Sequence, residues 1–127
     1  MPVNPSHNQK VRFIKYWLPV LAGMVFIFVS SSLPGKELPL LFPFQDVLFH
    51  LAIYALLAYF FARALKNTYS GLTLSKIIYF TVVFGLAYGL TDELHQLFVP
   101  GRCASGLDLL TDGLGSFLGS LVYRWPR

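Results

Sequence analysis

Asp46, His50 and Tyr54 are spaced by four residues, so on a helix they share one face. A carboxylate, an imidazole and a phenol in one row suit proton chemistry. Asp46 can orient His50, as a neutral general base, or hold it in its charged form. Asp46 by itself has a plainer role, as partner of a helix N-terminus. A second group follows in Asp92-Glu93-Leu94-His95-Gln96. Asp92 and Gln96 share a face, and Glu93 is turned by about 100° from Asp92. Leu97-Phe98-Val99 comes next, so these acids precede the end of an apolar stretch. Carboxylates there are costly, at roughly 2.5 kcal/mol or more each at mid-membrane. Pro100-Gly101-Arg102 then makes a tight loop whose guanidinium can pair with a carboxylate or receive an anion. Ser105 reads as a helix N-cap. Asp108, Asp112, Gly115 and Gly119 follow at spacings of four, three and four, forming a single stripe. Gly115 and Gly119 are a small-xxx-small pair for close helix packing, which turns Asp112 inward with them.

The elements that must position these groups are four apolar segments, at about residues 16–32, 44–65, 77–99 and 107–123. Each approaches the roughly 20 residues a helix needs to cross a bilayer. Pro34-Gly35, Pro39, Pro43, Asn67 to Gly71 and Pro100-Gly101 separate them, as helix breakers do. Residues 1–10 are polar and read as a flexible tail; residues 11–127 read as one membrane domain. The expected fold is all-α, an integral membrane bundle of four transmembrane helices.

Composition supports lipid as the solvent. The 127 residues are 55% hydrophobic and 13% charged, against about 25% charged in soluble domains. Lysine and arginine set the orientation. Eight of the ten lie in the tail, the middle loop and the C-terminus; Lys36 and Arg102 lie on the other side. The positive-inside rule puts both termini in the cytoplasm of a multi-pass cell-membrane protein. All six acids, Glu37, Asp46, Asp92, Glu93, Asp108 and Asp112, then fall at the outer end. Tyr16, Trp17, Tyr123 and Trp125 fall in the inner aromatic belt. No basic run with interleaved aromatics points to nucleic acid. Cys103 is the single cysteine, which excludes an internal disulfide.

The motifs resemble the VanZ-like family. Asp46, His50 and Tyr54 match its first motif. Asp92, Glu93, Gln96, Phe98, Pro100, Gly101, Arg102, Ser105 and Asp108 match its second, Asp-Glu-x-x-Gln-x-Phe-x-Pro-Gly-Arg-x-x-Ser-x-x-Asp, and Gly115 and Gly119 follow as in its glycine-rich helix. Ser31-Ser32-Leu33-Pro34 resembles the end of its first helix. Val47 stands where the family often has lysine, and Asp112 where it usually has asparagine. Both departures make the site more acidic. The resemblance implies an envelope membrane protein and a link to teicoplanin resistance, and names no biochemical activity.

Two function classes fit. In the first, Asp46, His50, Tyr54, Asp92, Glu93, Gln96, Arg102, Ser105, Asp108 and Asp112 line an outer polar site. That site binds an envelope lipid, a cell-wall precursor or a glycopeptide, with Arg102 and Gln96 as donors. In the second, the same cluster makes a membrane hydrolase or transferase acting on an envelope lipid. A divalent metal held by Asp46, His50, Asp92 and Glu93 is compatible with either and required by neither. The His-Glu-x-x-His zinc spacing is missing. A transporter ranks last, because acids at one end give no polar path across the bilayer.

Overall fold

The structure is a computed structural model that describes residues 5–33, 41–102 and 105–124. It is all-helical over these residues, with α1 at Pro5–Ser31, α2 at Gln45–Thr68, α3 at Leu74–Gln96 and α4 at Gly106–Arg124. Helices α1, α2 and α3 are long and apolar enough to cross a membrane. Helix α4 has 19 residues. Its polar residues Thr111, Asp112, Ser116 and Ser120 are buried, facing the bundle.

Helix α1 starts well before its apolar segment. Residues 5–10, expected in a flexible tail, are helical and exposed. Pro5 suits a first turn, where its missing N–H is no loss, and no breaker intervenes before Pro19. Lys10, Arg12 and Lys15 therefore ride on the helix. Pro19 lies inside it without ending it, as membrane helices allow when neighbours support the backbone. Helix α3 ends at Gln96, three residues short of the apolar boundary at Val99. The chain tightens there through i→i+3 bonds from Phe98 to His95, from Val99 to Gln96 and from Arg102 to Val99. Gly101, at φ 74°, supplies the left-handed turn that follows.

The bundle is closed by small residues. A Cβ on Gly115 would lie 2.6 Å from the Leu51 carbonyl oxygen, and one on Gly119 would lie 2.1 Å from that of Ala55. These two glycines let α4 rest directly on the backbone of α2. Gly85 and Gly89 of α3 do the same for α4, against Ser116 and Asp112. On the other side of α2, Val20, Ile27, Tyr54, Leu57 and Ala64 form the apolar core with α1. Near the end of α4, Tyr123 is buried with Ala62 and Ile77. Large apolar residues such as Phe13, Leu21, Phe28, Phe80 and Leu114 are exposed around the bundle, as a lipid-facing surface requires.

At the end opposite the acids, Trp17 Nε1 donates to Thr68 Oγ1 at 2.7 Å, and Arg63 sits 4.8 Å over the Tyr16 ring. Trp17→Phe keeps the ring and deletes this hydrogen bond between α1 and α2. It is expected to cost about 1 kcal/mol, read as a lower unfolding midpoint in detergent.

Candidate functional site at the acidic end of the bundle

The close contact of α2 with α4 decides the partner of His50. His50 is 7% exposed, and its Nδ1 donates to Asp112 Oδ1 at 2.7 Å. Its Nε2 lies 3.9 Å from Asp108 Oδ2. The sequence spacing pointed to Asp46 as the carboxylate of this pair, and the structure corrects that. Asp46 is exposed in the first turn of α2, where it keeps its role beside the helix N-terminus. Residues four apart on a helix share a face at Cβ separations of about 5–6 Å, too far for two short side chains to guarantee a bond. A carboxylate projecting from a helix packed through glycine arrives much closer.

Tyr54 lies one turn deeper, 1% exposed, with its ring parallel to His50 at 6.2 Å. Asp92, Glu93 and Gln96 are all buried at the end of α3. Their side chains part ways. Asp92 and Gln96 face a cleft between α1, α2 and α3. Glu93 turns toward α4, and its Oε2 accepts from the Ser105 backbone N–H at 2.6 Å. Ser105 caps α4 as expected, its Oγ accepting from the Asp108 N–H at 3.4 Å.

Arg102 takes a third role. Its Nε donates to the Leu33 carbonyl at 3.0 Å and its guanidinium to the Ser30 carbonyl at 3.3 Å. It thereby closes the C-terminal end of α1, whose last carbonyls lack helical partners. Of the two roles open to it, a carboxylate pair is not seen among the described residues, where the ion pairs are the two of His50. His95 is separate from the cluster. It stacks on Phe28 at 4.6 Å, and its Nε2 is 2.9 Å from Ser32 Oγ. Lys36, Glu37 and Cys103 lie outside the described residues.

The cleft has a volume of about 370 Å³. Its polar end is made by Ser31, His50, Asp92, Gln96 and Arg102, with Asp46 at the mouth, and its apolar walls by Ile27, Leu41, Phe42, Phe49 and Ile53. Ser31 is buried with its hydroxyl oxygen unpartnered among the described residues. The wall residues were not singled out from the sequence. The signal was there in part, since Gln45, Phe49 and Ile53 repeat at four residues, one position ahead of Asp46, His50 and Tyr54. The ten expected polar residues thus divide. Asp46, His50, Tyr54, Asp92, Gln96 and Arg102 line the cleft; Glu93, Ser105, Asp108 and Asp112 lie behind it, toward α4. The donors that approach one another are also not the four expected as metal ligands. They are His50, Glu93 and Asp112, while Asp46 and Asp92 stand apart from that group.

Chemically, the Nδ1–H to carboxylate bond fixes the orientation of the His50 ring and leaves its other nitrogen as a base. Asp92 and Gln96 offer an acceptor and an amide beside it. Comparison with curated proteins and with solved structures found no match. The sequence profile of VanZ/LLP1 matches residues 13–127, nearly the whole chain. A membrane bundle with this arrangement of polar residues and this profile match belongs to the VanZ/LLP1 family.

Proposed function

We propose that this chain is an envelope protein of the cytoplasmic membrane that binds an amphiphile at its acidic, outer end. The ligand is an envelope lipid or a lipid-linked cell-wall precursor. Its polar part meets His50, Asp92, Gln96 and Arg102. Its apolar part runs along Phe42, Phe49 and Ile53. The observation that carries this reading is the cleft itself, which opens beside an apolar helix surface and ends in buried polar groups. Few convergent polar groups at the end of an apolar cavity are what an oriented ligand requires. Binding of a glycopeptide at the same place is the route by which such a protein would bear on teicoplanin resistance.

The test uses the full chain in lipid nanodiscs, with anionic phospholipid and lipid-linked precursor as separate probes. Gln96→Ala and Arg102→Ala are each expected to weaken binding by about fivefold, the equivalent of one hydrogen bond. Phe80→Ala, on the lipid-facing surface, is expected to bind as the parent chain does. Wild-type affinity in both polar variants, with unchanged teicoplanin susceptibility of cells carrying them, would refute the reading.

The His50–Asp112 pair supports a second reading, a membrane hydrolase or transferase acting on the bound lipid. Turnover of envelope lipid by purified protein, abolished by His50→Gln, distinguishes this from binding alone.

A further inference from the structure

Behind the cleft, α2, α3 and α4 each contribute one donor residue to a common point. A ring nitrogen of His50 and one carboxylate oxygen each from Glu93 and Asp112 lie within 4.8 Å of one another. All three residues are buried, at 7%, 5% and 0% exposure. Each carboxylate also has a fully buried oxygen, Glu93 Oε1 and Asp112 Oδ2, with no hydrogen-bond partner among the described residues. Such atoms are rare in folded proteins, because a buried acceptor without a donor pays its full desolvation cost.

Charge sharpens the point. Asp108 Oδ2 lies 3.9 Å from His50 Nε2, so three carboxylates, those of Glu93, Asp108 and Asp112, surround one buried imidazole. The nearest described guanidinium, that of Arg102, is committed to the carbonyls of Ser30 and Leu33. Buried anions call for a paired cation or a metal.

We propose that His50, Glu93 and Asp112 bind one divalent transition-metal cation, of the Zn2+ or Mn2+ class. One imidazole and two carboxylates are a borderline donor set that suits these ions. Mg2+ prefers oxygen ligands in an octahedron and gains little from His50. Donors around a four-coordinate Zn2+ lie about 3.4 Å apart, so small side-chain movements close the group on the ion. Coordination through His50 Nδ1 moves the ring proton to Nε2, which faces Asp108 Oδ2 at 3.9 Å. Asp108 then orients the ring, as carboxylates do behind metal-bound histidines. No proton is gained or lost in that change. Three protein donors leave a coordination position open, and His50 is the one donor of the three that also lines the cleft.

This proposal does not depend on what the cleft binds, and the metal is measured alone. The full chain, purified in detergent and stripped with chelator, is titrated with Co2+ as a spectroscopic stand-in for Zn2+. One equivalent is expected to bind saturably, to give visible ligand-field bands, and to persist in excess Mg2+. Glu93→Gln and Asp112→Asn are expected to weaken uptake at least about tenfold, and His50→Gln likewise. Asp46→Asn, at the exposed mouth, is expected to bind as wild type. The proposal is overturned by an absence of saturable uptake, by equal uptake in all three ligand variants, or by an equal loss in Asp46→Asn. X-ray absorption on the Zn2+-loaded wild-type chain decides the case should the variants not fold. A shell of oxygen with one imidazole supports the site; a sulfur shell or one without imidazole refutes it. Failed metal uptake with intact lipid binding would leave the cleft reading in place.

Discussion

Gly119→Ala is expected to cost roughly 3 kcal/mol of stability and to loosen the whole acidic end of the bundle. The added methyl would lie 2.1 Å from the Ala55 carbonyl oxygen, 2.8 Å from its carbon and 2.9 Å from Ala55 Cα. All three are backbone atoms of α2, so no side chain can turn away to make room. The helices must separate instead, and dispersion contacts along the interface are lost with the distance. Gly115→Ala meets the same obstacle, with the Leu51 oxygen at 2.6 Å and the Ala55 nitrogen at 3.3 Å. Gly106→Ala is the matched comparison, since nothing lies within 4 Å of its Cβ position. The measurement is unfolding of the purified chain in mixed detergent, followed by tryptophan fluorescence. A Gly119→Ala chain as stable as the Gly106→Ala chain would mean that α4 does not rest on α2 in this way. The effect also reaches the site, because Asp112 is carried by the same stripe as Gly115 and Gly119.

The second large effect is expected at Asp112 itself. Asp112→Ala removes the carboxylate that His50 Nδ1 contacts at 2.7 Å and leaves a buried imidazole without that partner. Removing one member of a buried charged pair typically costs about 3–5 kcal/mol, more than the pair contributes as a whole. Asp112→Asn retains an oxygen that can accept from the ring, and its loss is expected near 1 kcal/mol. The order Ala worse than Asn separates loss of the bond from loss of the charge. The double variant His50→Ala with Asp112→Ala is expected to be less damaging than the sum of the two single changes, by about 1.5 kcal/mol or more. Strict additivity would show that the two side chains do not interact, and a change below about 0.5 kcal/mol in Asp112→Ala would show that the site is solvated.

Much of the architecture was legible in the order of residues. Apolar runs close to membrane length, punctuated by proline and glycine, called for four helices, and four are observed among the described residues. The boundaries were read less well, for a physical reason. Hydropathy marks where a helix meets lipid, whereas the helix itself continues until its backbone is interrupted. Residues 5–10 of α1 are therefore helical though polar, and α3 stops at Gln96 though Leu97, Phe98 and Val99 are apolar. The grouping of acids at one end was also visible, because period and loop order place them without any knowledge of packing.

The sequence by itself determined which side chains share a helix face: Asp46 with His50 and Tyr54, Asp92 with Gln96, and Asp112 with the glycines of α4. Spacing along one helix is set by covalent geometry, so it is readable without a partner. Only the tertiary structure decided who touches whom. It gave His50 to Asp112 and left Asp46 at the mouth, gave Arg102 to the carbonyls of α1, and turned Glu93 away from Asp92 toward α4. Those choices depend on the rotation and closeness of neighbouring helices. A methyl-sized difference at Gly115 and Gly119 controls both, and local periodicity carries no measure of it.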